Sequence, residues 1–180
     1  MGPIYTVNPV HPTDTRCASV GRFSSCRPWK AHLRHAEEVV RGGRLQALIL
    51  RLLVVDDSEV VRRGICRILQ SESDIEIICE AADGADAVRK AREHRPDVVL
   101  LDIAMPVMNG FEAARRIKHE LPSTRILMVS QFDSAHFMRE AFVAGASGYV
   151  VKSNAAIELI PALRKIYCQQ AEASHDPAQA

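Results

Sequence analysis

Five times after Leu50, a short aliphatic run gives way to a stretch whose apolar residues recur at helical spacing. The runs are Leu52–Val55, Ile75–Cys79, Val98–Leu101, Ile126–Val129 and Gly148–Val151. Each is too short for a helix, and most are free of polar residues, as strands buried on both faces are. Strands separated by helices cannot close as hairpins; each helix carries the chain back across the sheet, so the next strand runs parallel. The predicted fold is α/β: a doubly wound five-stranded parallel sheet with helices on both faces. Ile75–Cys79 is interrupted by Glu76 and flanked by Asp74 and Glu80, which places that strand near an edge.

Caps and breakers mark the helices. Ser58 precedes a face of Val61, Ile65, Ile68 and Leu69. Asp83-Gly84 opens a helix through Ala87, Val88 and Ala91 that stops before Pro96. A third runs through Phe111, Ala114 and Ile117 to Leu121-Pro122. A fourth, capped by Asp133 or Ser134, carries Phe137, Met138, Ala141 and Phe142 and ends by Gly145. The last begins near Ser153-Asn154 and carries Ile157, Ile160, Leu163 and Ile166. Pro161 lies inside it, removes one backbone hydrogen bond and should bend it.

The chemistry lies where the runs end. Asp56 and Asp57 follow the first and Asp102 follows the third. In an open parallel sheet, ligands collect at the carboxyl ends of the strands, so three carboxylates arrive at one edge. Acids so close repel unless a cation joins them, and oxygen-only ligation favours a hard ion such as Mg²⁺, which also takes phosphate oxygens. The fourth run ends at Ser130, a hydroxyl, and the fifth at Lys152, an ammonium. A metal, a lysine and a hydroxyl around a carboxylate make a pocket for a phosphoryl group on that carboxylate, which points to an aspartyl phosphate at Asp102.

With Val54-Val55-Asp56-Asp57-Ser58, Leu101-Asp102-Ile103-Ala104-Met105-Pro106-Val107-Met108-Asn109-Gly110 and Ala144-Gly145-Ala146-Ser147-Gly148-Tyr149-Val150-Val151-Lys152, the chain resembles the receiver domain of two-component response regulators, in its NarL/LuxR-type branch. The resemblance covers about residues 50–168 and implies the flavodoxin-like receiver fold. It implies Asp102 as phosphoacceptor, Asp57 as a direct Mg²⁺ ligand, Asp56 as a ligand through water, and the Ala104 backbone carbonyl as a further ligand. Lys152 would pair with the acids at rest and with the phosphoryl group afterwards, Ser130 would move toward that group, and Tyr149 would be the aromatic whose inward or outward rotamer follows phosphorylation. Such a domain is a phosphoacceptor signalling module rather than an enzyme, although it assists its own phosphorylation and dephosphorylation. Its expected partners are a histidine kinase or phosphotransfer protein, a downstream protein, and a second copy in a phosphorylation-dependent homodimer. A phosphorylation-independent adapter is the alternative. A phosphatase of the haloacid dehalogenase type would need a second acid two residues after the nucleophile, where Ala104 stands. Receivers that lose phosphate quickly carry polar side chains two residues past the acceptor and two past the hydroxyl residue; Ala104 and Phe132 offer no hydrogen bond there, so a long-lived phosphorylated state is expected.

NarL-type regulators usually add a helix-turn-helix reader, but only 169–180, a short polar tail, follow here, and direct nucleic-acid binding is not expected. A formal net charge of +1 fits that expectation. Five scattered cysteines without metal-type spacing suit a reducing cytoplasm. The longest apolar stretch, Leu45–Val55, is broken by Gln46 and Arg51 and falls short of the ~20 residues of a membrane span. Residues 1–49 stand outside the scheme: four of the nine prolines lie in its first 28 positions, without periodicity. This extension is read as disordered or as the product of a start codon placed upstream of the true one, with a short amphipathic helix over 28–41 through Trp29, Leu33, Ala36 and Val40.

Overall fold

The computed structural model describes residues 49–173; the expectations for 1–48 and 174–180 lie outside them. Five strands form one parallel sheet: β1 (Leu50–Val55), β2 (Ile75–Ala81), β3 (Val98–Leu101), β4 (Arg125–Ser130) and β5 (Gly148–Val151), in the order β2-β1-β3-β4-β5. The helices are α1 (Glu59–Leu69), α2 (Gly84–His94), α3 (Gly110–Glu120), α4 (Ala135–Val143) and α5 (Ala155–Ala173), the last entered through a 3-10 turn at Lys152–Asn154. The doubly wound α/β architecture predicted from the alternation is the one found.

Helices divide between the two faces. Leu53, Val55, Val99, Leu101, Ile126 and Met128 point into a core closed by α2, α3 and α4. Leu52, Val54, Val98, Leu100, Leu127 and Val129 point the other way, against α1 and α5. Successive residues of a strand face opposite sides, so a strand buried on both sides must be aliphatic throughout, as β3 is and as β1 is from Leu52 to Val55. Leu52, Leu53, Leu100 and Leu101 are fully buried, and truncating any one to alanine should cost roughly 2–5 kcal/mol.

β2 is an edge strand, as its mixed polarity predicts. Its pairing with β1 slips by one residue, from Leu52 opposite Ile77 to Leu53 opposite Cys79, leaving Ile78 as the extra residue of a bulge. That slip is why its apolar positions alternate poorly. Four helices are capped by side chains: Ser58 accepts from the Val61 N–H, Asp83 from Asp86, Asn109 from Glu112 and Ser134 from Phe137. Of the two candidates for α4, Ser134 is the cap. α5 passes through Pro161 and continues to Ala173, since Gln169-Gln170-Ala171-Glu172-Ala173 favours helix and no breaker intervenes before Pro177. No helix among the described residues is long and apolar enough to cross a membrane.

Candidate phosphoacceptor site

β1 and β3 are adjacent and paired Val55 to Leu101, so Asp56 and Asp102 leave the sheet side by side. Asp56 is fixed at its backbone and at one carboxylate oxygen. Its N–H donates to the Ala81 carbonyl (3.2 Å), its Oδ1 accepts from the Ser58 N–H (2.9 Å), and its carbonyl accepts from Arg62 Nη1 (2.8 Å). Asp102 donates its N–H to the Val55 carbonyl (3.0 Å) and accepts at Oδ1 from Ile103 N–H (2.7 Å). Asp56 and Asp102 are buried, whereas Asp57 is exposed. One oxygen from each of Asp56, Asp57 and Asp102 can be chosen so that all lie within 4.8 Å of one another.

Lys152, beyond β5, bridges the two buried acids, with Nζ 2.8 Å from Asp102 Oδ2 and 2.8 Å from Asp56 Oδ2. The contact to Asp102 is a hydrogen bond; that to Asp56 is a charge contact that leaves the buried Oδ2 without a well-formed hydrogen bond. An unsatisfied carboxylate oxygen, an exposed second acid and a third acid within reach fit a hard cation. Burial pushes the Asp102 carboxyl above its usual range, with Lys152 opposing and Asp56 adding to the rise. Burial alone would lower the Lys152 ammonium, but its contacts with the Asp102 and Asp56 carboxylates raise it on balance.

The loop from Asp102 to Gly110 closes under tight steric limits. Gly110 N–H donates to the Ile103 carbonyl (2.9 Å), and a Cβ at Gly110 would stand 2.0 Å from the Asp102 carbonyl oxygen. A Cβ at Gly84 would stand 2.4 Å from the Met108 carbonyl oxygen, so the start of α2 also packs on this loop. Ala104 lies exposed on it. Val107, 86% exposed, holds a left-handed φ of 65°, which is costly for a β-branched residue.

Ser130 is buried at the end of β4, opposite Val151 in the ladder and thus one residue from Lys152. Its Oγ accepts from the Phe132 N–H (3.4 Å). Tyr149 is buried, and its hydroxyl donates to the Phe132 carbonyl (2.5 Å). The ring is therefore in the inward arrangement.

Two features lay beyond the sequence reading. Arg62 reaches Asp56 while donating Nε to Glu80 (2.9 Å); Glu80 is on β2, and nothing at helical spacing pointed to it. Phe132 stacks on Phe137, with centroids 4.2 Å apart and planes 8° apart, and Phe137 lies 6.3 Å from Phe111. The signal was present in three phenylalanines that each open or precede a helix, but only the tertiary fold brings them together.

Residues 52–164 match the family model described as "Response regulator receiver domain". The chain is 39% identical over 118 residues to "Response regulator protein VraR" of Staphylococcus aureus, covering 66% of this chain and 56% of that protein. Against "Transcriptional regulatory protein LnrK" of Bacillus subtilis the identity is 36% over 119 residues, covering 66% and 54%; the chain spans about half the length of these relatives. Among solved structures, a LuxR-family two-component response regulator from Aurantimonas superposes with a TM-score of 0.65 at 37% identity, covering 67% of this chain and 86% of that one. The chain belongs to the response regulator receiver domain family of two-component systems, among relatives of the NarL/LuxR type.

Proposed function

We propose that this receiver is phosphorylated on Asp102 by a histidine kinase or phosphotransfer protein and signals through protein contacts. One observation carries the reading: three carboxylates gathered within 4.8 Å, two of them bridged by a single lysine. An Asp102 carboxylate oxygen attacks the phosphorus of a phosphohistidine in line; the P–O bond forms as the P–N bond breaks, and the histidine nitrogen leaves with the electron pair and takes a proton. Asp56, Asp57, Asp102 and the Ala104 carbonyl are the groups that would hold Mg²⁺, whose charge offsets that on the phosphoryl oxygens. Lys152 already touches Asp102 Oδ2 and supplies a second positive charge to the same oxygens. Ser130 offers its hydroxyl to one of them, and Tyr149 follows Ser130 as the switch toward a downstream protein or a second copy of the domain.

Incubation of the full chain with Mg²⁺ and acetyl phosphate, followed by intact-mass measurement, tests this. The wild type should gain one phosphoryl group and Asp102→Asn none. An unmodified wild type, beside a receiver that labels under the same conditions, would favour the phosphorylation-independent adapter.

A further inference from the structure

Lys118, in the last turn of α3, is half-buried, and its side chain is held at both ends. Its stem lies on Gly145 in the turn before β5, where a Cβ would stand 2.7 Å from Lys118 Cγ. Its Nζ donates to two backbone carbonyls of the α3–β4 connection, Pro122 (2.6 Å) and Thr124 (3.0 Å). No carboxylate pairs with it among the described residues; the charged group that acts on it is the Arg125 guanidinium, at the start of β4. The other described lysines are placed differently. Lys90 touches the Asp86 carboxylate and Lys152 touches those of Asp56 and Asp102, so both ammonium ions are paired, while Lys165 is exposed.

We propose that Lys118 is a site of acylation by small acyl phosphates, with Arg125 holding the phosphate of the donor. A neutral amine has two N–H groups and one lone pair. The two carbonyls take both N–H groups, which turns the lone pair away from them and leaves it available. Burial, with Arg125 beside it, holds the ammonium below its usual 10.5; desolvation and a neighbouring cation are conditions that make a lysine nucleophilic. In the step, the Nζ lone pair bonds to the acyl carbon as the bond from that carbon to the bridging oxygen breaks. Phosphate leaves with the electron pair and takes the proton that the nitrogen loses, giving an amide and hydrogen phosphate. Arg125 has no ion pair with a carboxylate among the described residues, so its planar fork is available to the phosphate oxygens. An acyl phosphate thus meets this chain at two electrophilic atoms, its phosphorus at Asp102 and its carbon at Lys118. The amide keeps one N–H, so only one of the Pro122 and Thr124 carbonyls retains its donor, and the α3–β4 connection loosens.

The test incubates the full chain with acetyl phosphate in the presence of EDTA and follows acetylation at each lysine by peptide mass spectrometry. In the folded chain, Lys118 should acetylate about three- to tenfold faster than Lys90 and Lys165, and the preference should vanish in concentrated urea. Arg125→Gln should slow Lys118 about threefold or more and leave Lys165 unchanged, with circular dichroism like that of the wild type. The N-hydroxysuccinimide ester of acetate carries no phosphate, so its reaction at Lys118 should lose less in that variant. Lys118 acetylated no faster than Lys165 in the wild type, or a preference that survives urea, would overturn the proposal. An Arg125→Gln loss that is absent, or equal for the two donors, would overturn the role of Arg125 in it. Acylation is read at nitrogen and without metal, so this result and the assignment of Asp102 stand or fall separately.

Discussion

Lys152 balances a charge problem that the fold creates by burying Asp56 and Asp102 together. Replacing it with methionine leaves two buried carboxylates without a counter-charge, at a cost of roughly 2–4 kcal/mol near neutral pH in metal-free buffer. Its ammonium is held above the ordinary value of 10.5 by the two acids. The stabilisation is therefore fully present below 10.5 and is lost as pH rises through the folded value. Urea titrations of wild type and Lys152→Met should show a constant gap from neutrality to about pH 10 that closes at higher pH; a widening gap would contradict the pairing. Asp102 has the opposite sign. Burial raises its carboxyl above 3.8 even with Lys152 attached, so the ionised group costs stability at neutral pH. Asp102→Asn should melt above the wild type at pH 7, and the advantage should narrow as pH falls toward 3.8. An asparagine variant that melts lower at pH 7 would refute this. Ala104 bears on lifetime: hydrolysis needs a water aligned behind the phosphorus, and an exposed methyl cannot orient one. Ala104→Asn should speed phosphate loss about tenfold, the effect of ~1.4 kcal/mol. An unchanged rate would show that Ala104 does not limit the water. Phe132→Glu would remove the aromatic stack as well, so the single change at Ala104 gives the cleaner reading.

The loop after β3 is the element under most steric constraint. Gly110→Ala drives a methyl toward the Asp102 carbonyl and should cost about 1–3 kcal/mol or more, because the obstacle is backbone. Val107→Gly relieves a left-handed φ at an exposed site; thermal melting should show it as neutral or slightly stabilising, by less than about 1 kcal/mol, since glycine's greater freedom in the unfolded chain offsets part of the relief. A loss above that would mean the Val107 side chain makes a contact the fold requires. Much of the element plan was legible. Ser58, Asp83 and Ser134 stand at the helix starts because a short polar side chain can satisfy the first orphan N–H groups. The acids and Lys152 were legible for a related reason: each closes an aliphatic run, and a polar residue there can lie only at the sheet's edge. The bulge at Ile78 was not legible, because a one-residue slip is decided by how β1 and β2 meet. Nor was Arg62, whose two acceptors lie on β2 and just past β1, nor the phenylalanine stack, in which Phe111 and Phe137 fit the apolar faces of their own helices and Phe132 lies in the segment before α4.

In the whole molecule, the strand order β2-β1-β3-β4-β5 turns scattered sequence positions into one site. β1 and β3 sit together at the centre of the sheet, so the acids nearly fifty residues apart in sequence become neighbours. β4 and β5 follow on one side, bringing Ser130 and Lys152 to the same edge. Two aliphatic cores hold that edge from either side, which is why the pocket can bury two like charges and remain folded. The central claim is that this edge makes Asp102 the phosphoacceptor. Borohydride reduces an acyl phosphate to an alcohol and would leave homoserine where the phosphorylated aspartate stood. After treatment of the full chain with Mg²⁺ and acetyl phosphate, then borohydride, peptide sequencing by mass spectrometry should find homoserine at position 102 and aspartate retained at 56 and 57. Homoserine at 56 or 57, or at none of the three in a sample whose intact mass shows the phosphoryl group, would contradict it.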